Sequence, residues 1–107
     1  MRIYGIKACD TCRKAVKALE TAGQDVEFVD IRATPLSAEQ IAAFLDSFGA
    51  ALVNTRSTTW RGMDEAARAA APADQLAEHP TLMKRPVIEA DRLYLGWGKD
   101  VQAALLD

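Results

Sequence analysis

Two cysteines, Cys9 and Cys12, constrain what this chain can fold into more than any other feature. They stand between a short run of strand-forming residues, Arg2 to Gly5, and a segment with helical periodicity. Residues at i and i+3 lie on the same side of a first helical turn. A helix start carries free N–H groups and positive dipole charge, which favour the nucleophilic thiolate over the thiol. The pair therefore predicts thiol chemistry where a strand meets a helix.

Length and composition narrow the class of protein. With 107 residues, half of them hydrophobic, the chain is expected to form a single domain over 1–107. A net charge of −2 provides no basic field for nucleic acid. No signal peptide is visible, and no apolar run approaches the roughly 20 residues that cross a bilayer. We expect a cytoplasmic monomer that binds neither nucleic acid nor membranes. In the reducing cytoplasm a CxxC pair is typically catalytic, redox-sensing or metal-binding.

The order of predicted elements indicates an α/β fold. The first third predicts a strand over 2–5, a helix that is capped by Asp10 or Thr11, runs to about Thr21 and is ended by Gly23, and a parallel strand over 26–31. Helices over 37–48, 63–71 and 73–78 follow, the first with the capping-box pair Ser37 and Gln40, and a polar loop covers 54–61. A hairpin over 86–96 and a helix over 99–106 close the chain. This βαβ … ββα order is thioredoxin-like, with a helical insertion.

The CxxC motif predicts two different roles for its sulfurs. We expect Cys9 to be exposed and to attack a disulfide, and Cys12 to be shielded and to resolve the mixed disulfide. Asp10 is opposed by four basic side chains around the motif, those of Lys7, Arg13, Lys14 and Lys17. We expect these basic side chains to lower the pKa of Cys9. Two alternatives are a pair of small core residues, which the polar neighbours disfavour, and a zinc site. Zinc needs four ligands, and the lone histidine, His79, stands at a predicted helix end, so no metal is expected.

A second segment, Lys84-Arg85-Pro86-Val87, precedes a predicted strand. In a thioredoxin-like layout this position often holds a cis proline that faces the CxxC, and Arg85 would then project beside the thiols to hold a carboxylate or oxyanion. The alternative is a trans proline at a strand start with a solvated arginine. The polar loop over 54–61 predicts either an anion or protein contact, or hydroxyls that cap the next helix.

The motifs CDTCRKA, NTRSTTWR, KRPV and LYLGWGKD together resemble the ArsC/Spx family over nearly the whole chain, most closely its small YffB-like branch. The resemblance implies a thioredoxin-like fold with a helical insert. Arsenate reductases of this family use one cysteine that aligns with Cys9, glutathione as reductant, and arginines that hold the oxyanion. Arg85 matches one of those arginines, but the other two positions fall at Asn54 and about Gly96, which disfavours arsenate as the substrate.

The other branches imply different activities. The Spx branch shares the CxxC and a similar Arg56-Ser57 loop, and it regulates transcription by binding RNA polymerase, with the CxxC as a redox switch. The YffB-like branch implies a glutathione-dependent thiol reductase.

We therefore expect a thiol-disulfide oxidoreductase that holds no bound cofactor and uses glutathione as co-substrate. Its expected partners are glutathione or a small thiol or disulfide substrate, together with glutaredoxin. Cys9, Cys12 and Arg85 are the expected catalytic residues, and the expected substrate-binding residues are Lys7, Thr11, Arg13, Asn54, Arg56 and Pro86. A redox-sensing, Spx-like transcription regulator that binds RNA polymerase and an arsenate reductase remain the alternatives.

Overall fold

The computed structural model describes residues 1–106. In chain order the elements are β1 (Arg2–Gly5), α1 (Asp10–Thr21), β2 (Glu27–Asp30), α2 (Ala38–Phe48), α3 (Thr58–Arg61), α4 (Glu65–Ala69), α5 (Pro72–Glu78), β3 (Val87–Glu89), β4 (Leu93–Leu95) and α6 (Lys99–Leu106). Short 3-10 helices cover Gly49–Leu52 and Pro80–Leu82. Within the described residues, no helix has the length and apolarity that a membrane span requires.

The chain divides into two compact units, one formed by residues 1–31 with those from 85 onward, the other by residues 32–84. The first unit contains the sheet, whose strands run in the order β2-β1-β3-β4. β1 pairs in parallel with β2 and antiparallel with β3, and β3 pairs antiparallel with β4. This arrangement confirms the predicted α/β, thioredoxin-like fold with its helical insertion. That the two units form a single domain stays a prediction.

A row of side chains across the sheet builds the core of the first unit. Ile3 pairs with Phe28 on one side and with Ile88 on the other, and Ile88 pairs in turn with Tyr94. Leu19 of α1 is fully buried in the same cluster, and α6 packs two aliphatic side chains against it. Because α1 is held to the sheet through this cluster, its first turn has a defined position beside the end of β1.

Several predicted boundaries in this unit are corrected. The predicted caps of α1, Asp10 and Thr11, are wrong because the N-cap residue is Cys9. Asp10 is already helical, and its carboxylate pairs with the guanidinium of Arg13 instead of an N–H group. The second strand is Glu27–Asp30, shorter than the predicted 26–31, and the hairpin predicted over 86–96 consists of strands Val87–Glu89 and Leu93–Leu95. β1 and the final helix over 99–106 are confirmed.

The second unit follows its local capping signals. The capping box of Ser37 and Gln40 is confirmed, and α2 ends at Gly49, whose φ of 59° suits glycine. The predicted loop over 54–61 is wrong in its second half, because Ser57 accepts the Trp60 N–H and begins α3. The predicted helix over 63–71 is only Glu65–Ala69, since Asp64 caps it one residue before its start.

Gly5 allows β1 and α1 to approach closely. A Cβ placed at Gly5 would overlap the sulfur of Cys12, and it would lie 3.2 Å from the Cβ of Cys12 and 3.4 Å from the ring of Phe28. Real Cβ atoms rarely have a contact as short as the 3.2 Å to the Cβ of Cys12. Only a glycine at this position therefore leaves room for Cys12 against the end of the strand.

Gly5→Ala is expected to destabilise the protein by about 1–3 kcal/mol, the usual cost of overpacking a core. Cys12→Ala removes the overlapping sulfur, so the double variant should lose less stability than the two single losses added together. Gly98→Ala is the matched control, because a Cβ there meets no heavy atom within 4 Å. Urea unfolding measures the free energies, and strictly additive losses would contradict the proposed overlap.

Candidate active site

Cys9 occupies the point where the chain turns from the end of β1 into α1. Its N–H donates to the carbonyl of Ile6 at 3.1 Å, and its own carbonyl accepts the N–H of Arg13 at 3.1 Å. The side chain is half-buried and makes no cap hydrogen bond. The N–H groups of the first helical turn are thus available to a sulfur anion when Cys9 ionises.

Cys12 lies one helical turn further on and is fully buried beneath Gly5. Both cysteines are free thiols. The predicted shielding of Cys12 is confirmed, whereas Cys9, predicted to be exposed, is half-buried and remains the more accessible of the two. The difference in access suits a pair in which one sulfur meets the substrate and the other acts only afterwards.

The pKa of Cys9 is lowered, as the sequence predicted, although burial alone raises it. The N–H and the thiol of Cys12 both favour the thiolate through hydrogen bonds, and Arg85 favours it through a hydrogen bond and its charge. Together these groups outweigh the burial. The basic side chains around the motif were expected to lower the pKa of Cys9, but none of them is among the causes of its shift. One of them, Arg13, is paired with Asp10.

The pKa of Cys12 moves in the opposite direction. It is raised to about 12, first by burial and then by the hydrogen bond to Cys9, against opposing effects of the Ile6 N–H and Arg85. Cys12 therefore stays protonated at neutral pH and donates to the sulfur of Cys9. The two thiols have separate states before any substrate arrives, with the anion on the accessible sulfur.

The segment before β3 brings Arg85 to the cysteines. The Arg85-Pro86 peptide bond is cis, as predicted. Pro86 is buried, and its carbonyl accepts the N–H of Gly96 at 2.8 Å. Its contact with a substrate stays a prediction. Arg85 is half-buried, and its guanidinium acts on the sulfur of Cys9. Its catalytic role stays a prediction.

Three other predicted binding residues lie on the exposed side of the motif. Thr11 and Arg13 are exposed on the first turn of α1, and Lys7 is exposed in the turn before it. The backbone N–H of Lys7 donates to the carboxylate of Asp30 at 3.3 Å. The three residues are close to Cys9 in sequence, and their contact with a substrate stays a prediction.

Asn54 and Arg56 belong to the second unit, where they form a local turn. The side-chain oxygen of Asn54 accepts the N–H of Arg56 at 3.0 Å, and its carbonyl accepts the hydroxyl of Ser57 at 2.7 Å. With Lys84 they line a cavity of about 330 Å³. The turn gives Asn54 a structural role, and substrate binding by these two residues stays a prediction.

Sequence reasoning missed Gly5 and the donor role of Cys12. A glycine inside a strand signals close backbone approach, so the first was detectable in principle. The second depends on where the buried thiol points, which no local pattern reveals. Within residues 1–106, no group of three or more His, Cys, Asp or Glu side chains is arranged to hold a metal ion.

Comparison with known proteins gives consistent matches. The model of the ArsC family matches residues 4–104. An uncharacterised protein of Haemophilus influenzae is 39% identical over 109 residues, covering 95% of this chain and 96% of that protein. The global transcriptional regulator Spx of Streptococcus pyogenes is 28% identical over 106 residues, covering 92% of this chain and 79% of Spx.

Solved structures agree with these matches. The YffB protein superimposes with a TM-score of 0.88 at 32% identity, covering 99% of this chain and 98% of YffB. An arsenate reductase related protein from Brucella melitensis gives a TM-score of 0.73 at 36% identity, covering 95% of this chain and 91% of its own.

Replacing Arg85 with Gln is expected to raise the pKa of Cys9, because a hydrogen bond and a positive charge that favour the thiolate are lost. Each unit of increase reduces the thiolate fraction about tenfold at pH values below the pKa, and alkylation by iodoacetamide should slow by about that factor. The unmodified protein should therefore reach half its plateau rate at a lower pH than the Arg85→Gln variant.

Mass spectrometry of the Cys9 peptide gives the rate of alkylation at each pH, and the dependence of that rate on pH gives the pKa of Cys9. Arg13→Gln is the matched control, because Arg13 is an exposed arginine of the same motif and is paired with Asp10. Its profile should stay close to that of the unmodified protein. An unchanged profile for Arg85→Gln would show that Arg85 does not stabilise the thiolate.

Proposed function

The chain belongs to the ArsC family, and from its two-cysteine site we propose that it is a thiol-disulfide oxidoreductase that uses glutathione as its reductant. The observation that carries the proposal is the pairing of a half-exposed Cys9, with its lowered pKa, and a fully buried Cys12 that donates to it. A structural pair of thiols has no need of such a difference. A nucleophile with a resolving partner requires it.

In the first step the Cys9 thiolate attacks one sulfur of a substrate disulfide. A bond forms between Cys9 and that sulfur while the substrate S–S bond breaks, and the second substrate sulfur leaves with the electron pair as a thiolate. Arg85 lies beside the reacting sulfur and stabilises negative charge there. The product is a mixed disulfide between Cys9 and the substrate.

The second step follows from the first through the pKa of Cys12. Once the sulfur of Cys9 is bonded, the anion to which Cys12 donated is gone, and one cause of the raised pKa is removed. The Ile6 N–H and the charge of Arg85 still favour ionisation. Cys12 then loses its proton to the departed thiolate or to water and attacks Cys9. The internal disulfide forms, and the substrate leaves as a thiolate that takes up a proton.

Two glutathione molecules complete the cycle. The thiolate of the first attacks the internal disulfide and forms a mixed disulfide at Cys9, which frees Cys12. The second attacks the glutathione sulfur, restores the Cys9 thiolate and leaves as oxidised glutathione with the first. Two electrons pass from glutathione to the substrate disulfide. Glutaredoxin as a partner and a cytoplasmic location, where thiols are kept reduced, are parts of the same proposal.

Arsenate is a less favoured substrate than a disulfide. Of the three positions at which arsenate reductases of the family place arginine, only Arg85 carries a guanidinium. Gly96 has a φ of 81°, and its N–H is bonded to the carbonyl of Pro86. An arginine there would need a left-handed backbone that L residues rarely adopt, so this turn favours glycine.

Cys12→Ser is expected to trap the mixed disulfide, because no resolving thiol remains. Treated with oxidised glutathione, this variant should accumulate one glutathione adduct on Cys9, whereas the unmodified protein should lose both thiols and end as an internal disulfide. Cys9→Ser is the control and should form no adduct at a comparable rate, because Cys12 is buried and protonated. Intact mass and peptide mapping follow the reaction. Equal reaction at Cys12 in the Cys9→Ser variant would contradict the assigned roles.

Similarity to Spx supports a second candidate function, a redox-sensing regulator of transcription. The same Cys9–Cys12 disulfide would then act as the switch, with RNA polymerase as the partner. This candidate predicts a complex with the polymerase alpha subunit in only one redox state. Co-purification from reduced and oxidised mixtures tests it, and the absence of a complex in both states would eliminate it.

A further inference from the structure

A groove of about 470 Å³ runs beside α1 in the first unit. Its apolar lining is Val16 and Phe28, which are half-buried and pack against the core cluster with their inner faces. Its charged lining is Lys7, Arg13, Lys17 and Glu20. The steps of disulfide exchange described above do not need the apolar part of this groove.

Three of the lining residues lie on the side of α1 that starts at Cys9. Arg13, Lys17 and Glu20 follow Cys9 at helical spacing, so they share one side of α1. At a rise of about 1.5 Å per residue, the stretch from Cys9 to Glu20 is roughly 16 Å long. An extended peptide rises about 3.3 Å per residue, so about five residues cover that length. The ring of Phe28 lies 3.4 Å from the point where a Cβ on Gly5 would stand, a point that the sulfur of Cys12 overlaps.

The charge around the groove is opposite in sign to that of the whole chain. The chain carries a net charge of −2, whereas the groove has three basic side chains and one acidic one. Arg13 is paired with Asp10, but within residues 1–106 the ammonium groups of Lys7 and Lys17 make no ion pair. A ligand with carboxylates and an apolar side chain complements this surface.

We propose that the groove binds the extended segment beside the target cysteine in a protein disulfide, with one apolar side chain over Val16 and Phe28 and carboxylates beside Lys7 and Lys17. This inference rests on the proposed function and narrows its substrates to protein disulfides in acidic, apolar segments. Glutathione carries carboxylates without an apolar side chain, so it reaches Cys9 without using the apolar lining. Recognition of the segment and reduction by glutathione are thereby separated.

The test uses short peptides whose single cysteine is disulfide-bonded to thionitrobenzoate. Cys9 attacks the peptide sulfur, and thionitrobenzoate leaves with the electron pair and absorbs visible light. The cysteine is flanked on both sides by leucine and glutamate in one peptide, by leucine and lysine in a second, and by serine and glutamate in a third. Single-turnover rates with the intact protein at low salt compare all three with oxidised glutathione.

The leucine–glutamate peptide should react about fivefold to tenfold faster than either of the others, because charge and apolar contact both favour it. Lys17→Glu should abolish or reverse the preference over the lysine peptide, with each peptide rate expressed relative to the rate of the same variant with oxidised glutathione. Lys14→Glu is the matched control, an exposed lysine of α1 that does not line the groove, and should keep the preference. Added salt should weaken the preference in the unmodified protein, a measurement that depends on no variant.

Equal rates for all three peptides, with normal reaction of oxidised glutathione, would overturn this inference and leave the proposed function standing. A preference that Lys17→Glu and Lys14→Glu reduce equally would also overturn it, because general charge and not the groove would be responsible. Failure of every disulfide to react with the unmodified protein would overturn the proposed function and this inference together.

Discussion

Close packing of Cys12 beneath Gly5 is the constraint on which the site depends. The sulfur lies where any side chain on Gly5 would be, so the end of β1 and the first turn of α1 share one narrow space. This contact, with Leu19 buried in the core cluster, holds α1 against the sheet. Cys9 is then left at the helix start, half-buried and beside the N–H of Cys12.

Two kinds of electrostatic effect act on the cysteines, and they differ in reach. The N–H groups and the thiol of Cys12 act within one helical turn and accompany the motif wherever it folds. The charge of Arg85 arrives from a segment far along the chain, through the pairing of β3 with β1. Desolvation opposes ionisation at both sulfurs, but it is compensated only at Cys9. The difference in burial between the two sulfurs therefore decides which one carries the anion.

The basic side chains near the motif do not act on the sulfur of Cys9 as the sequence suggested. Arg13 is paired with Asp10, and neither Lys7 nor Lys17 contributes to the lowered pKa of Cys9. Lys7 and Lys17 instead line a groove beside α1 together with the apolar side chains of Val16 and Phe28. Positive charge close in sequence to a cysteine is thus not automatically charge on its sulfur, because Coulomb interaction depends on distance and solvent screening.

The sequence by itself determined the features that are contained in a few consecutive residues. These include β1, the capping box of Ser37 and Gln40, the final helix, the CxxC at a strand–helix junction and the resemblance to the ArsC family. The cap of α1 and the loop over 54–61 were predicted wrongly because several polar residues compete to begin each helix, and propensity does not rank them. Only the tertiary structure decided that Cys12 lies beneath Gly5, and that Arg85, expected beside the thiols, lowers the pKa of Cys9 while the basic side chains nearer in sequence do not. Packing and charge act between atoms that are close in space, and the chain brings those atoms together only when its sheet has formed.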